Sequence, residues 1–329
     1  MEKRRDPEAV ARAIQAAGTV AMCAHVSPDG DTIGSTLALK LGLEQLGKRV
    51  TVFCQDKVPD NLRFLPGASG FLTPDEAQGK HYDLLLTVDV SDERRLGSCI
   101  RLKDQCAHTA QIDHHGTNPC SMEQNDIDAN AAATALLARE LLRVLGVKLT
   151  REIGMCLYTG ISTDTGNFSF GNTTAEAFDV MSELMALQLP LSDMNRMLFR
   201  ERSRAQLELI SRALQSLRFY QHDQIAAMYL TLDDFAKCGA LPEHADTIVN
   251  FGIDVAGVKM ALLARETEMS GVKISLRALA PCTVDDIAAS FGGGGHAQAA
   301  GCTIEGATVE AAVARVVDAM SRALNGESE

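Results

Sequence analysis

The sequence predicts an α/β protein: an N-terminal parallel sheet with helices on both faces, then a smaller C-terminal α/β domain carrying a glycine-rich loop. Three observations lead there. Apolar runs of strand length alternate with helical stretches through the first half of the chain, the pattern of a parallel sheet covered on both faces. Acidic residues follow those runs, at Asp29, Asp89 and Asp113, the edge of an open α/β sheet at which ligands bind. The texture of the sequence changes after about Phe199, and 329 residues exceed the usual size of one domain. The expected division is 1–200, a connecting helix over 201–216, and 217–329.

Asp6-Pro7-Glu8 supplies an N-cap, a proline at the first helical position and an early acid, so a helix is expected to about Gly18. Val20–Val26 has the length and apolarity of a strand, and Ser27-Pro28-Asp29-Gly30-Asp31 is the turn that ends it. A helix over Thr32–Leu46, stopped by Gly47, precedes a strand at Val50–Cys54. Tyr82–Val90 and Thr109–Ile112 are further buried strands, and Ala129–Leu145 and Thr150–Thr163 are helices. Ser203 with Gln206 makes a capping box for the connecting helix, which runs to Ser216. Strands then follow at Leu217–Tyr220 and Gln224–Leu230, with helices near Asp233–Lys237 and Glu243–Asn250. Val258–Ala264 and Val272–Leu279 alternate in strand fashion around a polar turn at Ser270-Gly271. A short helix over Val284–Phe291 leads into Gly292-Gly293-Gly294-Gly295-His296, and the last helix covers Val309–Leu324.

Composition narrows the partners. Lys and Arg number 31 against 43 Asp and Glu, a formal net charge of −12, so no global basic field exists for long duplex nucleic acid. Aromatic residues are 5% with no Trp, which disfavours an extended base-stacking platform. An anionic substrate therefore needs a local device, either metal ions or a small basic pocket. No apolar run reaches the ~20 residues of a membrane helix, and the charged start leads into no signal core. The nine cysteines contain no C-x-x-C pair and are expected as reduced thiols. A cytoplasmic protein without membrane contact is the expectation.

Four constellations carry chemistry. His25-Val26-Ser27-Pro28-Asp29-Gly30-Asp31 places one imidazole and two carboxylates at a strand end. Hard oxygens with one imidazole suit manganese or magnesium better than structural zinc. The same residues also read as a capped turn with Asp31 as helix N-cap. Asp113-His114-His115 follows the next apolar strand, and two adjacent histidines on extended chain cannot face one point. One would ligate metal while the other reaches a phosphate or a supporting acid. Asp164, in Ser162-Thr163-Asp164-Thr165-Gly166-Asn167-Phe168, sits among small residues that allow close backbone approach. Asp29, Asp31, Asp89 and Asp164, with His25 and one of the two adjacent histidines, together match what two divalent ions about 3.5–4 Å apart require. The fourth constellation is the glycine run ending in His296, whose N–H groups suit an anion, with Arg277 as a bidentate phosphate contact.

In this order the motifs resemble the DHH phosphoesterase superfamily, and the C-terminal domain with its glycine-rich loop looks like the small single-chain members of NrnA type, nanoRNases and pAp phosphatases. The resemblance spans about Ala9 to Ala323. It implies one metal on His25, Asp29 and Asp89 and a second on Asp31, Asp89, His114 and Asp164, with Asp89 bridging. It implies His115 beside the scissile phosphate, and Arg277, Gly293, Gly294, Gly295 and His296 on the substrate's other end across an interdomain cleft. The cofactors implied are two divalent ions, manganese foremost, with Mg2+ or Co2+ as substitutes. The chemistry implied is in-line attack of water on phosphorus, with His115 or His296 protonating the leaving oxygen. One departure is visible: the NrnA-type pattern usually carries an arginine shortly after a Val-Asn pair, and Val249-Asn250-Phe251-Gly252-Ile253-Asp254 has none.

The resulting expectation is degradation of very short 5′-phosphorylated oligonucleotides, such as pApA or pGpG, to mononucleotides, with pAp as a further substrate. The resemblance leaves a homodimer open. Alternatives are a RecJ-like single-strand exonuclease, an exopolyphosphatase or pyrophosphatase, and a nucleotide-binding protein without turnover.

Overall fold

The computed structural model describes residues 5–326; Met1–Arg4 of the charged start and the last three residues lie outside them. Two compact units meet in sequence between Glu201 and Arg202.

In the first unit, β1 (Thr19–Cys23), β2 (Arg49–Phe53), β3 (Phe71–Leu72), β4 (Tyr82–Val88), β5 (Cys106–Asp113) and β6 (Gln124–Ile127) form one parallel sheet. Its order is β3-β2-β1-β4-β5-β6. The chain leaves β1 in one direction across the sheet and leaves β4 in the other, so the strand order reverses between these neighbours. Crevices at such a reversal, outside the carboxyl ends, are where these folds bind ligands.

Helical segments cover both faces, but unequally. Helices α1 (Pro7–Ala16), α2 (Gly30–Gln45), α3 (Thr134–Val144) and α4 (Arg151–Asp164) pack with Val20, Met22, Leu84 and Leu86 in one large core. The alternate residues Ala21, Cys23 and Leu85 pack instead with Leu96, Cys99 and Leu102 of the 3-10 segment Glu93–Gln105. Asp6 caps α1 by accepting from the Ala9 N–H at 2.9 Å, ahead of Pro7. Helices α2 and α4 approach closely because of Gly34 and Gly160. A Cβ on Gly34 would lie 2.5 Å from the Cys156 carbonyl oxygen, and one on Gly160 would lie 2.7 Å from an Asp31 carboxylate oxygen.

Several expected boundaries shift. The helix expected from Ala129 begins only at Thr134, because the carbonyls of Ala131 and Ala132 meet His114 and Asn172 instead of later amides. Strand β4 ends at Val88, and Asp89 turns off with φ +62°. Helices α5 (Ala175–Met185) and α6 (Leu191–Asn195), with a π turn over Arg196–Arg200, complete the unit and were not anticipated. Strands β3 and β6 were not anticipated either.

The second unit is a six-stranded sheet, mostly antiparallel, of order β11-β12-β10-β9-β8-β7. Its strands are β7 (Arg218–Tyr220), β8 (Ile225–Leu230), β9 (Met260–Glu266), β10 (Gly271–Ala278), β11 (Gly294–His296) and β12 (Ala299–Glu305); only β8 and β9 run parallel. Met260, Leu262 and Ala264 of β9 face a core with α10 (Asp285–Ser290) and α11 (Val309–Leu324). Ala261 and Leu263 face a second core with α7 (Arg204–Ser216), α8 (Leu232–Cys238) and α9 (Asn250–Ile253). The helix expected as a connector is α7, held in this unit by Leu209, Ile210 and Ala213. The helix expected over Glu243–Asn250 is split into a 3-10 turn at Pro242–Ala245 and the short α9.

No described helix is long and apolar enough to cross a membrane. All nine cysteines are free thiols.

Candidate active site

The candidate ligands gather at the carboxyl edge of the parallel sheet. His25 follows β1, Asp89 follows the adjacent β4, and Asp113-His114-His115 ends and follows β5, the next strand over. Asp29 and Asp31 begin α2, and Asp164 ends α4. The N-cap of α2 is Asp29, not Asp31: its Oδ1 accepts from the N–H groups of Asp31 and Thr32 at 3.1 and 3.2 Å. Asp31 instead points inward and is fully buried. Its carboxylate accepts the Thr134 N–H at 2.6 Å, the Ala135 N–H at 2.9 Å and the Ser35 hydroxyl at 2.9 Å. The positive end of α3 thus holds an acid supplied by α2.

Three groups of ligating atoms result. His25 Nε2 lies 3.5 Å from Asp29 Oδ2 and 3.5 Å from Asp89 Oδ2. His114 Nε2 lies 3.2 Å from Asp164 Oδ2, 3.6 Å from Asp89 Oδ1 and 4.0 Å from Asp31 Oδ2. The third group is Asp89, His114 and His115. Asp89 therefore turns one oxygen to the His25 group and the other to the His114 group. Thr134 fixes that orientation by donating its hydroxyl to Asp89 Oδ1 at 2.8 Å.

The histidines are aimed by their other nitrogens. His25 Nδ1 is 2.8 Å from the Val26 carbonyl and 3.0 Å from Arg95 Nη2, and His114 Nδ1 is 3.2 Å from the Ala131 carbonyl. In both rings Nε2 is left facing the carboxylates. His115 differs: its Nδ1 meets Asp113 Oδ1 at 2.8 Å, and Asp113 Oδ2 accepts from Asn118 Nδ2 at 2.7 Å. The Asp113 pair raises the His115 pKa, and His115 with Asn118 holds Asp113 below the usual carboxylate range against the effect of burial.

Electrostatics and geometry both fit a cation. Burial, together with Asp89 and Asp164, pushes the Asp31 pKa well up. Burial disfavours the His25 and His114 cations, yet the surrounding carboxylates raise both imidazoles to about 10. Crowded acids with this effect are relieved by a positive charge among them. His25 Nε2 is buried and has no hydrogen-bond partner, an orphan facing two carboxylates. Ligands each about 2.1 Å from one ion are roughly 3–3.5 Å from one another, close to the 3.2–4.0 Å between these atoms. The residues present fit two divalent ions.

The expected substrate-binding residues of the second unit are joined by register. Arg277 on β10 lies opposite Ala299 on β12, which lies opposite His296 on β11. Directly opposed residues share a face, so Arg277 and His296 stand on one side, about 10 Å apart across two strand spacings. That side carries the α7–α9 core over β8 and β9 but is open here, with Lys273, Thr303 and His296 exposed. Burial lowers the Arg277 pKa, and Asp246 opposes the effect. The glycine run is a hairpin, not an open loop. The Gly292 and Gly293 N–H groups donate to Ala289 and Ala288 carbonyls at 2.9 Å, ending α10, so these two are not free for an anion. Gly295, at φ +149°, would put a Cβ 2.5 Å from Ala300 Cα, so the close strand approach requires glycine.

Ser35, Asn118, Arg95 and Thr134 were missed from sequence. Only Asn118, a polar residue soon after D-H-H, left any signal there.

Similarity to known proteins follows the same division. A family model described as the DHH family, N-terminal domain, matches residues 19–161, and one described as the DHHA1 domain matches 222–325. The bifunctional oligoribonuclease and PAP phosphatase NrnA of Thermus thermophilus is 34% identical over 324 residues, covering 98% of this chain and 95% of that one. This chain belongs to the DHH family. A second relative, the bifunctional oligoribonuclease and PAP phosphatase NrnA of Bacillus subtilis, is 24% identical over 298 residues, covering 89% of this chain and 91% of that one. Among solved structures, an exopolyphosphatase-related protein from Bacteroides fragilis superposes with a TM-score of 0.89 at 26% identity, over 98% of this chain and 97% of that one. Both predicted domains of the DHH fold are therefore present.

Proposed function

We propose that the protein is a two-metal phosphoesterase that hydrolyses very short 5′-phosphorylated oligonucleotides to mononucleotides and removes the 3′-phosphate of pAp. The observation that carries this reading is Asp89, whose two oxygens face two separate ligand groups. His25, Asp29 and Asp89 would hold one ion, and Asp31, Asp89, His114 and Asp164 the other. Manganese is the proposed metal, with Mg2+ or Co2+ able to replace it, because the set is mainly hard oxygen with two imidazoles. Bound there, divalent ions lower the pKa of water and stabilise charge on phosphoryl oxygens.

The chain's own residues do the rest. Asp113 holds the His115 proton on Nδ1, so Nε2 is the nitrogen presented to a phosphate or leaving oxygen. Arg277 offers two parallel N–H bonds to a terminal phosphate, with His296 on the same face. The names of the Thermus and Bacillus relatives support the substrate class. The net charge of −12 supports short substrates over long polymers. Nine unpaired thiols support residence in the reducing cytoplasm.

A product ladder tests the proposal. Protein loaded with manganese, magnesium or no metal is offered labelled pApA, a pentamer, a 20-mer, pAp, polyphosphate and pyrophosphate. Metal-dependent release of mononucleotide from pApA and of phosphate from pAp is expected. Preference for the 20-mer would favour an exonuclease. Preference for polyphosphate, the substrate suggested by the name of the Bacteroides relative, would replace the nucleotide reading.

A further inference from the structure

A cavity of about 410 Å³ opens beside the metal centre, beyond the ends of β2 and β3. It lies within the range of small-ligand sites. Its wall begins one strand over from His25: Cys54 Sγ is 3.4 Å from the His25 carbonyl oxygen, and Asp56 accepts the Ser27 N–H at 2.7 Å. Val58 and Phe71 give it an apolar wall, Gln55 and Ser69 a polar one, and Lys57 and Arg63 add two cations, Arg63 being ion-paired with Asp60 at 2.9 Å. A larger cavity, about 560 Å³, includes Asp83 and His108 near the amino ends of β4 and β5, the opposite edge of the sheet from the ligand cluster. Only the first adjoins the candidate chemistry.

We propose that this cavity is a nucleoside subsite on the side of the scissile phosphate opposite the leaving 3′-oxygen, for the nucleoside that keeps the phosphate on its 5′-oxygen. The inference rests on the phosphoesterase reading above and deepens it. A dinucleotide pApA and the bisphosphate pAp share the nucleotide on one side of the phosphate that is attacked. They differ on the other side, where pApA carries a second nucleoside and pAp carries nothing. A pocket with an aromatic wall and polar edge groups, next to the metal ligands, suits that second nucleoside. Its base packs against Phe71 and Val58, and Lys57 and Arg63 meet the next phosphate of a longer substrate. The cavity therefore separates the two activities: oligonucleotide hydrolysis uses it and pAp dephosphorylation does not.

The test fills the space from its exposed rim. Ser69 is exposed, so Ser69→Trp puts an indole into the cavity without disturbing the core. The manganese-loaded variant should lose about tenfold or more in kcat/KM for pApA and stay within about twofold of the unaltered protein for pAp. Circular dichroism and manganese titration check separately that the variant folds and binds metal. In a folded, metal-binding variant, equal losses on both substrates, or no loss on pApA, would overturn the subsite while leaving the phosphoesterase reading standing. Failure of the unaltered protein to hydrolyse either substrate would instead remove the phosphoesterase reading, and the subsite with it.

Discussion

The two candidate sites of this protein are built in opposite ways. The ligand cluster of the first unit draws on β1, α2, β4, β5 and α4, and its acids are oriented by buried donors such as the Thr134 hydroxyl and the amides that open α3. The Arg277–His296 face of the second unit comes from three neighbouring strands and needs only their register to bring its side chains to one side. The first is over-determined, because each buried carboxylate must be satisfied or paid for in desolvation. The second is open to solvent at Lys273, Thr303 and His296. On the proposed function the contrast is a division of labour: chemistry where geometry is fixed from several directions, recognition where one open face meets a ligand.

Removing the shared carboxylate tests that division most severely. Asp89→Ala should lower kcat for pApA and pAp alike by more than about a thousandfold, since both ligand groups lose a member. Circular dichroism and thermal melting should show a folded protein. Near-normal turnover with reconstituted metal would break the two-metal assignment and the comparison with it.

A milder change asks whether the buried donors matter or only the ligands. Thr134→Val keeps the backbone N–H that serves Asp31 and deletes the hydroxyl that Asp89 Oδ1 accepts at 2.8 Å. Loss of a partner that orients a ligand typically costs about 10–100-fold in metal affinity or activity. The expected result is a manganese titration shifted by that amount, with much of the rate recovered at high metal concentration. A variant that loses rate without any change in the titration would show Thr134 to act elsewhere.

The residues of the candidate cluster were legible in sequence because they stand at the ends of apolar strands and helices as an unusual set of acids and imidazoles. Their supports were not. Thr134 lies in Ala131-Ala132-Ala133-Thr134-Ala135, which reads as continuous helix; only the tertiary use of the Ala131 and Ala132 carbonyls delays the helix and exposes the amides that bind Asp31. Asp31 itself was exchanged with Asp29 as the N-cap, because local pattern cannot tell which of two acids meets a partner 103 residues away. Strand β6, Gln-Asn-Asp-Ile, lacks β-propensity and is defined by its neighbour, with Asn125 tied to the Met122 carbonyl at 2.7 Å. The glycine run reads as loop for the same reason and becomes strand through pairing with β12.

The recognition face gives the smallest expected effect and the sharpest form of the contrast. If Arg277 only holds a terminal phosphate, Arg277→Ala should raise KM for pApA about tenfold and leave kcat nearly unchanged, because ground state and transition state lose the contact equally. Arg277→Lys should recover part of the affinity, restoring charge without the planar fork. Lys273 supplies the control: it shares the face, opposite Thr303 and four residues along β10 from Arg277, and Lys273→Ala should change KM by less than about twofold. The KM effect should also weaken with added salt, to the extent that the half-buried Arg277 stays open to solvent. A fall in kcat comparable to that of Asp89→Ala would mean that this face takes part in the chemistry, and the two regions would then have to be treated as one site.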